Sequence, residues 1–168
     1  ARAISNARSD TENKPFKGVV LDLRNNPGGL LDQAVQTADI FLEKGEIAGT
    51  RGRHPNSRQT FNAAARDLVD GLPLIVLVNG GSASGSEVVA AALQDLGRAV
   101  LVGTNSYGKG TVQTVLRLPN NGEMTLTWSR LLAPSGYIIH GLGVMPSVCT
   151  HGAGQVADAA QLIGELRS

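Results

Sequence analysis

From Gly18 to about residue 103 the chain alternates short apolar runs with stretches of helical spacing, and from Gly110 onward it alternates like paired strands. Gly18-Val-Val-Leu-Asp-Leu23 is a brief β-branched run and predicts a buried strand. Arg24-Asn-Asn-Pro-Gly-Gly29 is a turn signal. Apolar residues at Leu31, Val35, Ala38, Phe41 and Leu42 predict a helix from Leu30 to about Lys44, stopped by Gly45. Glu46 to Thr50 predicts a strand, and the polar, basic segment Arg51 to Thr60 an exposed loop or hairpin. Leu74-Ile-Val-Leu-Val78 is the clearest buried strand. A glycine- and serine-rich loop follows it, then a helix over Glu87–Leu96 and a strand over Ala99–Val102. Thr111–Leu118 and Met124–Leu132 predict a hairpin around Pro119-Asn-Asn-Gly122. Tyr137–His140 adds a short strand, residues 1–14 a polar helix that frays at Ser9–Asn13, and residues 154–167 a closing helix. Strand–helix alternation followed by an antiparallel stretch indicates one α/β domain with a mostly parallel layer.

Composition narrows the function classes. The 168 residues suffice for one domain with a real core. Net charge is +1 and only 4% of residues are aromatic, which disfavours a nucleic-acid surface. The lone cysteine, Cys149, excludes an internal disulfide and is expected as a small core residue. No apolar run approaches the ~18 residues of a membrane-spanning helix. Glycine is the outlier at 21 residues, concentrated in the loops after the buried strands.

Those loops hold the candidate chemistry. Ser84 lies in Asn79-Gly-Gly-Ser-Ala-Ser-Gly-Ser-Glu87, and Lys109 in Tyr107-Gly-Lys-Gly-Thr-Val-Gln113. A serine hydroxyl needs a base to become a nucleophile. A lysine serves if burial or neighbouring positive charge lowers its pKa, and Ser-Lys pairs are one such arrangement. In an open α/β sheet, ligands gather at the carboxyl ends of strands, where both glycine loops fall. The amide of Gly85 is a natural oxyanion donor, with Gly28 or Gly29 as the second; one donor is worth about 3 kcal/mol of barrier. Without the lysine, Ser82, Ser84 and Ser86 would read as helix caps. His54, His140 and His151 sit in no motif and read as loop residues. Asp22 and Arg24 read as a structural pair under the first loop, and Trp128 as core.

Three stretches carry a resemblance. Asn79–Leu93 with Val102–Gln113 resembles the catalytic core of the carboxyl-terminal processing proteases, also called tail-specific proteases. Val20-Leu-Asp-Leu-Arg-Asn-Asn-Pro-Gly-Gly29 is similar to that family's first hallmark, and Ile139-His-Gly-Leu-Gly-Val-Met-Pro146 to its last. The resemblance runs in order from about residue 18 to 148. It implies the layered α/β core shared with the Clp protease and crotonase enzymes. It implies Ser84 as nucleophile, Lys109 as general base, Gln113 orienting the lysine, and Asp95 as a supporting acidic position near the site. Gly85 stands where the family often has Ala, and Ser147 where it often has Asp.

The implied activity is serine endopeptidase action near the C-termini of protein substrates, through an acyl-enzyme and with no cofactor. The alternatives are a catalytically silent peptide- or ligand-binding module on the same core and a crotonase-like acyl-CoA enzyme; both leave Ser84 and Lys109 unexplained. Implied partners are protein or peptide tails, with a homo-oligomer possible and no nucleic acid. The implied location is extracytoplasmic, the bacterial periplasm or the thylakoid lumen. The chain opens on Ala1 without Met and reads as an excised core, 1–168, without the family's upstream PDZ domain and first strand.

Overall fold

The computed structural model describes residues 2–9, 16–64 and 67–150. Along the chain run α1 (Arg2–Ser9), β1 (Val19–Asp22), α2 (Leu31–Asp39), β2 (Glu46–Arg51), a turn of 3-10 helix (Pro55–Ser57), β3 (Gln59–Asn62), β4 (Leu74–Val78), α3 (Gly85–Asp95), β5 (Val100–Gly103), β6 (Thr111–Arg117), β7 (Glu123–Leu132) and β8 (Val148–Cys149). The expected helix over 154–167 and the fraying at Asp10–Asn13 lie outside the described residues.

Two sheets form. One is parallel, in the order β1-β4-β5-β8; the other is antiparallel, in the order β3-β2-β7-β6. Every residue of β4 is buried, as suits a central parallel strand covered on both faces. Its continuous apolar run therefore reported burial rather than one-sided alternation. Helix α3 is buried from Gly85 to Leu93 and packs against α2, β2 and β5, so it fills the space between the sheets. Ala90, Ala91 and Ala92 are fully buried, and their small side chains let neighbouring elements approach closely. The apolar core joins α2, α3, β4 and the ends of β2 and β7.

Four expectations change. β2 belongs to the antiparallel sheet, pairing with β3 and β7. Helix α2 stops at Asp39 rather than Lys44: Phe41 N–H and Leu42 N–H turn to carbonyls three residues back, Ala38 O and Asp39 O, and the next carbonyls, of Ile40 and Phe41, accept from Leu68 N–H and Arg98 Nε–H. Tyr137–His140 makes one bridge, Leu132 to Ile138, and no strand. Cys149 is exposed on β8, the edge of the parallel sheet, and is not a core residue.

Candidate active site

β1 and β4 are parallel neighbours, so their following loops leave the sheet side by side. Polar groups fasten them together. Asn25 N–H bonds Asn79 Oδ1 at 2.9 Å, and Asn79 Nδ2 returns to Asn25 Oδ1 at 3.1 Å. Ser82 Oγ–H bonds Leu23 O at 2.7 Å. Asn26 O accepts Ala83 N–H and Ser86 Oγ–H. Ser82 and Ser86 are buried in these structural bonds. Asp22 and Arg24 pair as expected, Nη2 to Oδ2 at 2.7 Å, at an exposed position. The side-chain hydrogen bond from Arg24 holds the Asp22 carboxyl below its usual range, against burial, which raises it.

Ser84 sits at the tip of this double loop with φ 56° and ψ −116°, left-handed backbone that is unusual for serine. It opens α3, whose first amides point toward it. Gly28 presses against it from the neighbouring loop. A Cβ at Gly28 would overlap Ala83 O and Gly85 N and lie 3.0 Å from Ser84 Cβ; its φ of +83° also calls for glycine. Gly28 N–H donates to Asn26 Oδ1 at 2.9 Å. Among the described residues, the amides of Gly85 and Gly29 have no hydrogen-bond acceptor.

Ser84, Gly85, Gly29, Lys109 and Gln113 line one cleft of about 260 Å³. Through Gly29, Leu30 and Gly85 it adjoins an apolar recess of about 190 Å³ walled by Leu23, Ala34 and Val89. Lys109 and Gln113 are exposed. The burial that a lysine base calls for is therefore not supplied within the cleft as it stands. Asp95 does not join the site. It lies at the far end of α3, about 16 Å along the axis from Ser84 at ~1.5 Å per residue. There it accepts from Ser135 N–H and Oγ–H. His54 and His140 are exposed, and His151 lies outside the described residues.

The residue that sequence reasoning missed is Glu87. It is fully buried, and its carboxylate accepts four hydrogen bonds. Oε1 takes Ser106 Oγ–H and Gly108 N–H; Oε2 takes Ser84 N–H and Lys109 N–H, both at 2.8 Å. Ser106 Oγ in turn accepts Val144 N–H at 2.7 Å, which ties in the Ile139–Pro146 loop. One carboxylate thus fixes the backbones of both Ser84 and Lys109. The signal was present as Ser84-x-x-Glu87, the spacing in which a third-position glutamate bonds back to the helix-cap amide.

This α/β core sets two glycine loops and a serine of unusual backbone at a helix start around one cleft. Residues 1–150 match peptidase family S41, and the chain belongs to that family. Over 146 residues it is 53% identical to the carboxy-terminal-processing protease of Bartonella bacilliformis, covering 87% of this chain and 34% of that protein. Over 135 residues it is 43% identical to a Staphylococcus aureus protein named "Probable CtpA-like serine protease", covering 79% and 27%. Among solved structures it is similar to the photosystem II D1 C-terminal processing protease, with a TM-score of 0.77, 32% identity and coverage of 89% and 39%. The chain spans about a third, or less, of the length of the curated relatives it matches. No helix among the described residues is long and apolar enough to cross a membrane.

Proposed function

We propose that the chain is the catalytic core of a serine endopeptidase that cleaves polypeptides near their C-termini with a Ser84-Lys109 dyad. The observation that carries this is Glu87 Oε2, which accepts the backbone N–H of both residues and so holds them at one cleft. Neutral Lys109 Nζ takes the Ser84 Oγ proton as Oγ attacks the peptide carbonyl carbon. The oxyanion lies against Gly85 N–H and Gly29 N–H, the two amides without acceptors; Gly28, whose amide is engaged by Asn26, shapes the loop instead. Collapse of this intermediate breaks the C–N bond, and the Lys109 ammonium returns its proton to the departing amine. Water then attacks the acyl-enzyme, giving a proton to Lys109, and Ser84 regains its hydrogen as the acid leaves. Gln113 orients Nζ from the same cleft wall. The exposed Lys109 needs a dry environment to be neutral, and a polypeptide lying across the cleft supplies it. The apolar recess beside Gly85 takes a small aliphatic side chain next to the scissile bond.

The family resemblance carries with it an extracytoplasmic site of action, which fractionation of the source cells tests. For the chemistry, an unstructured peptide is incubated with wild type, Ser84→Ala and Lys109→Arg. Both variants should fold and lose turnover by a factor of at least ~1,000, since Arg cannot deprotonate in this range. Wild-type rates from Lys109→Arg would remove the lysine from the base role, and from Ser84→Ala the serine from the nucleophile role.

A further inference from the structure

The antiparallel sheet carries a second cleft, of about 640 Å³, that the peptidase chemistry does not use. Arg51, Arg53 and Arg130 line it with His54 and Trp128, and no carboxylate does. Arg51 on β2 and Arg130 on β7 are register partners across the ladder. Like charges so placed repel. None of the three guanidiniums is in an ion pair among the described residues. Trp128, expected in the core, is instead 42% exposed. It is the extra residue of a β-bulge, since the ladder steps from Val112–Ser129 to Gln113–Thr127. A bulge re-aims the side chain it carries. The indole lies 5.4 Å from the imidazole of His54, tilted by 31°. The sheet therefore holds an unneutralised cluster of cations beside an exposed aromatic pair.

The groove and the Ser84 cleft are neighbours along the antiparallel sheet. Arg130 pairs on its other side with Thr111, which lines that cleft. Neighbouring strands are ~4.8 Å apart, so Arg130 stands about one strand spacing from the cleft rim and Arg51 about two. Roughly three extended residues cover that distance. We propose that the groove is a carboxylate-binding site that takes an acidic stretch of the polypeptide whose scissile bond lies at Ser84. The proposal rests on the peptidase reading for the identity of its ligand. Guanidinium forks donate bidentately to carboxylates, and the face of Trp128 packs on the methylenes of Glu or Asp. Nucleic acid needs a longer basic tract with several stacking rings, which a chain of net charge +1 and one Trp–His pair does not offer.

Trp128 is the sole tryptophan, so its emission reports this groove directly. Ser84→Ala protein is titrated at low salt with a ten-residue peptide bearing three glutamates, with its glutamine counterpart, and with a ten-nucleotide oligo-dT. The glutamate peptide should shift the emission and bind at least ~10-fold tighter than the glutamine peptide, with the preference shrinking as salt rises. Arg51→Gln and Arg130→Gln should each weaken it about tenfold. Each should also leave Tm unchanged or raise it, because a like-charge pair is relieved; a merely structural role would lower Tm. Equal binding of both peptides, tighter binding of oligo-dT, or indifference to both arginine variants would overturn the proposal. Binding without hydrolysis by wild type would instead count against the peptidase reading, so the two failures are distinguishable.

Discussion

Glu87→Gln keeps the size of a fully buried side chain and replaces one acceptor oxygen with an NH2 that only donates. Each carboxylate oxygen accepts two hydrogen bonds, so either orientation of the amide sets a donor against two donors. The Ser106 hydroxyl can rotate to accept, which makes the orientation with NH2 toward Ser106 and Gly108 the cheaper one. Gly108 N–H then loses its acceptor, at about 2 kcal/mol for a buried donor. The bonds to Ser84 N–H and Lys109 N–H persist without charge assistance, each weaker by about 1 kcal/mol. Relief from burying a charge offsets part of this, leaving a loss of about 3 kcal/mol. A domain with about 5–15 kcal/mol of stability survives that, so the variant should fold. Urea unfolding followed by Trp128 fluorescence should show a lower midpoint at unchanged slope. Because the two bonds that align the dyad each weaken by about 1 kcal/mol, kcat should fall by up to about 30-fold on peptide substrate. A wild-type midpoint would refute the hydrogen-bond accounting. A lowered midpoint with wild-type kcat would refute the idea that Glu87 aligns the dyad.

Gly28→Ala should destabilise the chain by ~2–4 kcal/mol and abolish turnover, because the new methyl meets Ala83 O and Gly85 N at a φ of +83°; thermal melts and peptide assays check it. Burial, followed by the charges of Asp95 and Glu87, pushes the Tyr137 phenol up to about 12. A pKa raised above the ordinary ~10 gives stability that is complete below pH 10 and is lost as pH rises toward 12, about 2 kcal/mol once the roughly 3 kcal/mol that such a rise implies is discounted for the ring's partial exposure. Tyr137→Phe should flatten that loss in urea midpoints measured across the window. Asp22→Asn should cost no more than ~1 kcal/mol near neutrality, since the Arg24 pair is exposed. The Asp22 carboxyl is depressed by Arg24, so its contribution is present above pH ~4 and fades below it; a variant that is less stable than wild type above pH ~5 and converges on it as the pH is lowered is the expected result.

Local patterns made most of the elements legible. Leu74–Val78 announced a buried strand, and Pro119–Gly122 announced the β6–β7 hairpin. Ser84 and Lys109 were visible because glycine-dense loops surround them. What failed depended on partners distant in sequence. Nothing within Glu46–Arg51 tells that its neighbours are β3 and β7 rather than a parallel strand. Lys44 looks helical until Arg98 and Leu68 are known to hold the Phe41 and Ile40 carbonyls. Asp95 shares a helix with Ser84, yet its place at the opposite end separates them. Glu87 was within reach, since its spacing from Ser84 is a local signal. Its partners Ser106, Gly108 and Lys109, about twenty residues on, were not.

The dyad is tested most directly by a serine-directed acylating probe followed by intact-mass measurement and peptide mapping. One adduct per chain on Ser84 Oγ is predicted, forming faster as pH rises because neutral Lys109 is the base, and absent from Ser84→Ala and Lys109→Arg. Labelling at another serine, or unchanged labelling of Lys109→Arg across the pH series, would contradict the assignment of Ser84 and Lys109 as nucleophile and base.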